Sequence, residues 1–202
     1  MNLLLETDRP KPGLRARKKA KTRSAIQESA LRLFREKGYE ATTVDEIAEA
    51  AEVSPSTFFR YFPTKEDVVM YDELDPVIFK AFAEQPAHLS TIAALRATMR
   101  EVFERATPEE IAKQDERAAL IFAVPEVRMR MLDELMSVMQ TLAKVIASRM
   151  RRDADDFEVQ ALVGAVVGVG IAAWFNTSGT LASNYLQLMD RAFAQLEAGF
   201  PD

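Results

Sequence analysis

The sequence predicts an all-α fold, and three observations predict it. No segment alternates apolar and polar residues with period two. Apolar residues recur instead at spacings of three and four, which places them on one face of a helix. Proline, glycine and Ser/Thr capping signals then cut the chain into lengths that suit helices, about nine of them.

In chain order, residues 1–13 contain Pro10, Pro12 and Gly13 with mixed charge and read as a flexible arm. A helix follows from about Leu14 to Lys37, with Ile26, Ala30, Leu33 and Phe34 on one face. Gly38 can take a left-handed cap conformation there, and Tyr39 folds apolar surface back onto the helix. Thr43 and Glu46 form a capping box that opens a short second helix. Its inner face is Val44, Ile47, Ala48 and Ala51, and Glu52 and Val53 make a tight turn. Ser54 is the N-cap of a third helix, and Pro55 sits at its first position, where a missing amide proton costs nothing. Pro63 ends that helix after Phe62, because the residue before proline is pushed out of helical geometry. Thr64 and Asp67 signal a fourth helix, with Pro76 and Pro86 breaking or bending the chain beyond it. The remaining helices are expected over about 90–106, 108–123, 125–152, 155–176 and 179–199.

Composition narrows the function classes. The 202 residues can bury a full core. Cysteine is absent, so disulfides, thiolate metal sites and cysteine nucleophiles are excluded together, which fits a cytoplasmic protein. His88 is the single histidine, and neither a phosphate-cradling glycine loop nor a nucleophile elbow is present. Asp153, Asp155 and Asp156 cluster at a helix start, where acids are expected anyway. The reading is therefore no enzyme, no metal and no cofactor. The longest apolar run, 161–175, is short of the roughly 20 residues a bilayer span needs and is read as a buried helix, with no membrane partner. Net charge is −5, but unevenly placed. Residues 1–65 carry 13 Lys/Arg against 9 Asp/Glu, and residues 66–202 carry 13 against 22. Six of the basic residues fall between Arg15 and Arg23 with no acid among them. A charge run is commonly a solvated helix face, but this one adjoins a second signal.

That signal is the stretch from Thr42 to Val68. Two short capped helices joined by a tight turn form a helix-turn-helix. In the third helix, Phe58 and Phe62 are four residues apart and can share a buried edge, which leaves Ser56, Thr57, Phe59, Arg60 and Tyr61 mostly outward. Two aromatics beside an arginine are costly to expose unless something covers them, and a DNA major groove would use each. Arg60 can bond a guanine edge or a phosphate, Phe59 can pack on a thymine methyl, Tyr61 can donate to a phosphate, and Ser54, Ser56 and Thr57 can reach bases or phosphates. Lys65 and the amide end of the second helix at Thr42 and Thr43 are placed for phosphates. Lys18, Lys19 and Arg23 in the basic run are candidates for phosphate or minor-groove contact.

The segments Thr42-Thr43-Val44, Ile47 to Ser54 (IAEAAEVS), the aromatic cluster ending at Phe62, and Pro63-Thr64-Lys65-Glu66 together resemble the TetR family of transcriptional regulators. By motif the resemblance covers roughly residues 20–70, and beyond that only the helical layout agrees. Two positions depart from the family pattern. Glu52 stands where members usually carry glycine, which implies mild strain if the turn needs a positive φ. Pro55 stands where many members offer a contact, although it stays within the DNA-facing set.

The resemblance implies three parts: the arm, a DNA-binding domain over 14–65, and a ligand-binding and dimerisation domain over 66–202. It implies a homodimer that reads a palindromic operator in double-stranded DNA, and a small-molecule effector that releases it. A repressor is expected, with an activator or a helical interaction module as alternatives. It also implies an effector site in the middle helices, for which Phe79, Phe82, Met99, Phe103, Phe122, Met136, Met139 and Trp174 are candidates. Ordinary core is the competing reading for each of these residues. The helix over 155–176 is apolar all round and so must be covered all round, either by a partner subunit or as the central helix of a monomer. Leu162, Gly164, Val166 and Gly168 there, with Tyr185, Leu188, Met189, Ala192 and Leu196 in the last helix, are the candidate dimer contacts.

Overall fold

The computed structural model describes residues 13–177 and 184–199. Among the described residues there are ten helices and no strand: α1 (Leu14–Lys37), α2 (Val44–Ala50), α3 (Pro55–Tyr61), α4 (Lys65–Met70), α5 (Asp75–Glu84), α6 (Thr91–Arg105), α7 (Pro108–Ala123), α8 (Pro125–Met150), α9 (Phe157–Asn176) and α10 (Tyr185–Ala198). The all-α expectation holds. The extra helix, α5, arises beyond the fourth, where a broken or bent chain was expected. Pro76 does not merely break the chain; it sits in the first turn of α5, where its fixed φ is compatible with a helix. Residues 1–12 of the arm expected over 1–13, and the expected helix start at Gly179, lie outside the described residues.

The chain divides into two compact units at Val68/Val69. In the first unit α1 packs on α2, and α2 on α3. The core is Ile26, Ala30, Leu31 and Phe34 from α1, Ile47 and Ala48 from α2, Phe58 and Phe62 around α3, and Val68. Leu31 takes the buried place expected of Leu33, which is only half-buried. Gly38 has φ 90° and ψ 156°, a region open essentially to glycine alone. Its N–H donates to the Phe34 carbonyl, and the Tyr39 ring tilts onto Phe34 at 4.9 Å.

The turn between α2 and α3 is a Schellman motif. Val53 N–H donates to the Ala48 carbonyl at 2.9 Å and Glu52 N–H to the Glu49 carbonyl at 3.0 Å. Glu52 occupies the left-handed position with φ 54°, so the expected strain is present. Glycine adopts this conformation without the clash of Cβ against the carbonyl. Glu52→Gly is therefore expected to raise the unfolding free energy by about 0.5–1 kcal/mol, read as a higher urea midpoint at unchanged slope.

In the second unit α9 lies between α8 and α10, α6 packs against both α5 and α10, and α7 packs on α8. The core gathers Phe82, Ala94, Leu95, Leu142, Ala143, Ile146, Val159, Val163, Val169, Ala173 and Phe193. Helix α9 is long and apolar enough to cross a membrane by length and composition. Here, however, Val159, Val163, Val166, Val169 and Ala173 form its buried face within a helical bundle. Arg96 ties α6 to α10 by a two-pronged pair with Asp190, at 2.9 and 3.0 Å.

Candidate nucleic-acid interface and regulatory cavity

Local sequence builds the reading head. The Thr43 hydroxyl accepts from Glu46 N–H at 3.3 Å, and the Glu46 carboxylate accepts from Thr43 N–H at 2.8 Å. Lys37 pairs with the same carboxylate, and these bonds, that of Lys37 foremost, hold Glu46 down to about 2. The Ser54 hydroxyl caps α3 by accepting from Thr57 N–H at 3.1 Å. Phe58 and Phe62 are buried, so the register of α3 is fixed. Ser54, Pro55, Ser56, Phe59 and Arg60 are then exposed, with Thr57 and Tyr61 half-buried. Phe59 is 52% exposed. The Arg60 guanidinium reaches the Thr57 hydroxyl at 3.4 Å and lies 5.6 Å from the centre of the Tyr61 ring.

The start of α1 joins this surface. Leu14, Arg15, Lys18, Lys19 and Thr22 line a groove of about 590 Å³ with Arg60 and Tyr61. Two features that were separate in sequence, the basic run and the Arg60-Tyr61 part of the aromatic-arginine cluster, thus share one concavity. Such a groove suits a polyanion edged with flat apolar groups.

Three expected phosphate contacts have other work in this structure. Thr42 is buried, and its hydroxyl donates to the Gly38 carbonyl at 2.8 Å. Arg23 donates to the Tyr61 carbonyl at 3.3 Å and lies over the Phe62 ring, so it braces the end of α3. The Lys65 ammonium donates to the carbonyls of Tyr39 and Thr42 at 2.9 and 3.2 Å and sits 4.0 Å from the centre of the Tyr39 ring. Residue type pointed to phosphate, but main-chain carbonyls at helix ends and in the α1–α2 connection attract the same cations and hydroxyls.

The second unit contains a cavity of about 340 Å³, within the range of small-molecule sites. Met99, Phe103 and Trp174 line it as expected. The other candidates do not. Phe82 is buried in the core, and Phe79 and Met139 pack against it. Phe122 stacks on Trp174 at 4.4 Å, outside the cavity lining, and Met136 is exposed. Sequence reasoning missed the polar end of the cavity, formed by Asp72, Asp75, Gln114, Arg117 and Tyr185. Arg117 is 6% exposed. It pairs with Asp72 at 3.0 Å and donates to the carbonyls of Val69 and Met70 at 2.7 and 2.9 Å. Gln114 Nε2 donates to Asp72 at 2.7 Å. The available signal was slight: Gln114 and Arg117 fall on the face of α7 that also carries the apolar Ala118 and Ile121.

The dimer candidates also divide. Gly164 and Gly168 are exposed, and a Cβ at either would meet open space. Val166 and Met189 belong to the core, and Leu162, Leu188, Ala192 and Leu196 pack against it. Tyr185 lines the cavity instead. The stripe read in α10 packs on the core of its own chain, where Tyr185, Leu188, Ala192 and Leu196 are partly buried. An exposed apolar stripe lies on α9: Phe157 (79% exposed), Ala161, Gly164, Gly168, Ile171 and Phe175 (61% exposed).

Comparison with known proteins accounts for both units. Residues 26–70 match the family model described as bacterial regulatory proteins, tetR family, and residues 89–201 match the MftR C-terminal domain. The chain is 34% identical over 180 residues to the HTH-type transcriptional regulator TcmR of Streptomyces glaucescens, covering 82% of this chain and 80% of that protein. The chain belongs to the TetR family. It is a DNA-binding regulator of transcription, not an enzyme. MftR of Mycobacterium tuberculosis is 24% identical over 194 residues, covering 91% and 93% of the two chains. Among solved TetR-fold structures, Salmonella enterica GusR aligns with a TM-score of 0.54 at 17% identity, covering 88% of this chain and 94% of GusR. Thermus thermophilus FadR, a TetR-family repressor solved with lauroyl-CoA, aligns at 0.52 and 22%, covering 89% and 95%.

Proposed function

We propose that this TetR-family regulator is a cytoplasmic, homodimeric repressor that binds a palindromic operator through α3 and the start of α1, and that a small, largely apolar effector releases it. The observation that carries the DNA reading is the outward set Ser54, Pro55, Ser56, Thr57, Phe59, Arg60 and Tyr61, of which Arg60 and Tyr61 share one groove with Lys18 and Lys19. Dimerisation is supported by the α9 stripe, whose exposed phenylalanines and glycines suit a second copy of the same helix. A two-fold dimer gives a short recognition helix two half-sites to read. The effector reading is supported by the apolar cavity and by Arg117 at its end. That guanidinium holds the carbonyls of Val69 and Met70, so a ligand touching Arg117 bears on the last turn of α4, which is continuous with the reading head. Ligand would favour a population in which the two recognition helices no longer match successive major grooves.

The test is selection of binding sites from random duplexes, followed by titration at several salt concentrations. A two-fold palindrome is expected. The Lys18→Ala/Lys19→Ala double variant is expected to weaken binding on all sequences alike. It should also flatten the slope of log affinity against log salt by about 1.8, because two phosphate contacts are lost. An unchanged slope would remove both lysines from the interface.

A further inference from the structure

The cavity of the second unit holds a carboxylate that is not paired among the described residues. Its walls are largely apolar, with Phe103 and Trp174 among them. At its polar end Asp72 and Arg117 pair at 3.0 Å, and Asp72 also accepts from Leu74 N–H and Gln114. Asp75 is left over: among the described residues it has no hydrogen-bond or ion-pair partner. Burial foremost, then the charges of Asp72 and Glu134, push its carboxyl up to about 6 against the opposing pull of Arg117. At pH 7.5 it is still ionised, so the cavity holds one carboxylate without a direct partner among the described residues. A second, independent observation lies in the same cavity. The Tyr185 ring contacts Phe103 at 6.4 Å, and its hydroxyl is without a partner among the described residues. Burial pushes that phenol up to about 12, so it remains a neutral donor and acceptor.

An anionic head group at this end would meet Asp75 and the field of Glu134. A wholly apolar ligand would seal Asp75 away from water unpaired, which is costly. A cation meets both requirements, and the faces of the aromatic walls attract it as well. We propose that this cavity recognises a lipophilic cation, its ammonium group held by Asp75 and Tyr185 and its apolar body set against Phe103 and Trp174. The inference rests on the cavity being the effector site.

Three probes of one shape and three charges test it: 9-(aminomethyl)anthracene, 9-anthracenemethanol and anthracene-9-carboxylate. Trp174 is the single tryptophan of the chain, so energy transfer from it to the anthracene reports occupancy. At pH 7.5 the amine is expected to bind about tenfold tighter than the alcohol, and the carboxylate more weakly than either. Asp75→Asn should erase the amine's advantage and leave the affinity for the alcohol unchanged, which also shows that the variant is folded. Equal binding of amine and alcohol, a tighter carboxylate, or an advantage that survives Asp75→Asn overturns the cation preference and leaves the effector site standing. Absence of saturable transfer with all three probes removes the effector site too. Should Asp75→Asn fail to fold, the ratio of amine to alcohol affinities in the unaltered protein decides the matter.

Discussion

Arg117→Ala is expected to lower the unfolding free energy by about 3–5 kcal/mol, the range for removing one partner of a buried ion pair. The guanidinium is almost wholly buried and serves four groups: Asp72, the carbonyls of Val69 and Met70, and Gln114. Its removal leaves a carboxylate and two carbonyls short of donors in a place that water reaches poorly. Arg117→Lys should recover little, since an ammonium is a point charge and cannot span acceptors arranged around a planar fork. Urea unfolding of the three proteins measures this. A loss under about 1 kcal/mol for the alanine variant would mean that water replaces the guanidinium without penalty.

Phe58→Ala carries a comparable expected loss, about 3–5 kcal/mol, and with it operator binding. The ring is 0% exposed, contacts Phe62 at 6.1 Å between centroids, and anchors α3 against α1 and α2. A cavity there frees the recognition helix to rotate or fray. Phe58→Leu keeps most of the volume and should cost less than about 1.5 kcal/mol. Phe59→Ala provides the contrast: a half-exposed ring whose loss should shift stability by under about 1 kcal/mol yet weaken duplex binding. If Phe59→Ala unfolds the protein while Phe58→Ala does not, the two faces of α3 have been assigned in reverse.

Local chemistry made much of the reading head legible in the sequence. Caps and prolines act over three or four residues, so Thr43, Ser54, Pro55 and Pro63 announce α2 and α3 without knowledge of the tertiary fold. The same holds for the outward set on α3, because Phe58 and Phe62 fix its orientation. What failed was the choice of partner. Thr42, Arg23 and Lys65 have the chemistry of phosphate ligands, but carbonyls of the protein satisfy them instead. Nothing in residue type separates those two acceptors. The same limit applies in the second unit: Phe82 and Phe103 are equally apolar, and only packing decides that one is core and the other cavity wall. Arg117 escaped notice because its place beside Gln114 on a mostly apolar face does not reveal its acceptors, which lie 45 or more residues away in sequence.

The internal use of Arg23 and Lys65 bears on how the regulator finds its site in a genome. Of the 13 Lys/Arg in residues 1–65, these two are tethered to main-chain oxygens, while Arg32 and Lys37 face glutamates. Fewer cations remain for indiscriminate attraction to arbitrary duplex than the raw tally suggests. Weaker attraction to the millions of competing stretches leaves a larger share of molecules free to occupy the operator. Tethering these half-buried cations to main-chain oxygens therefore takes them out of direct phosphate contact and favours selectivity at a given copy number.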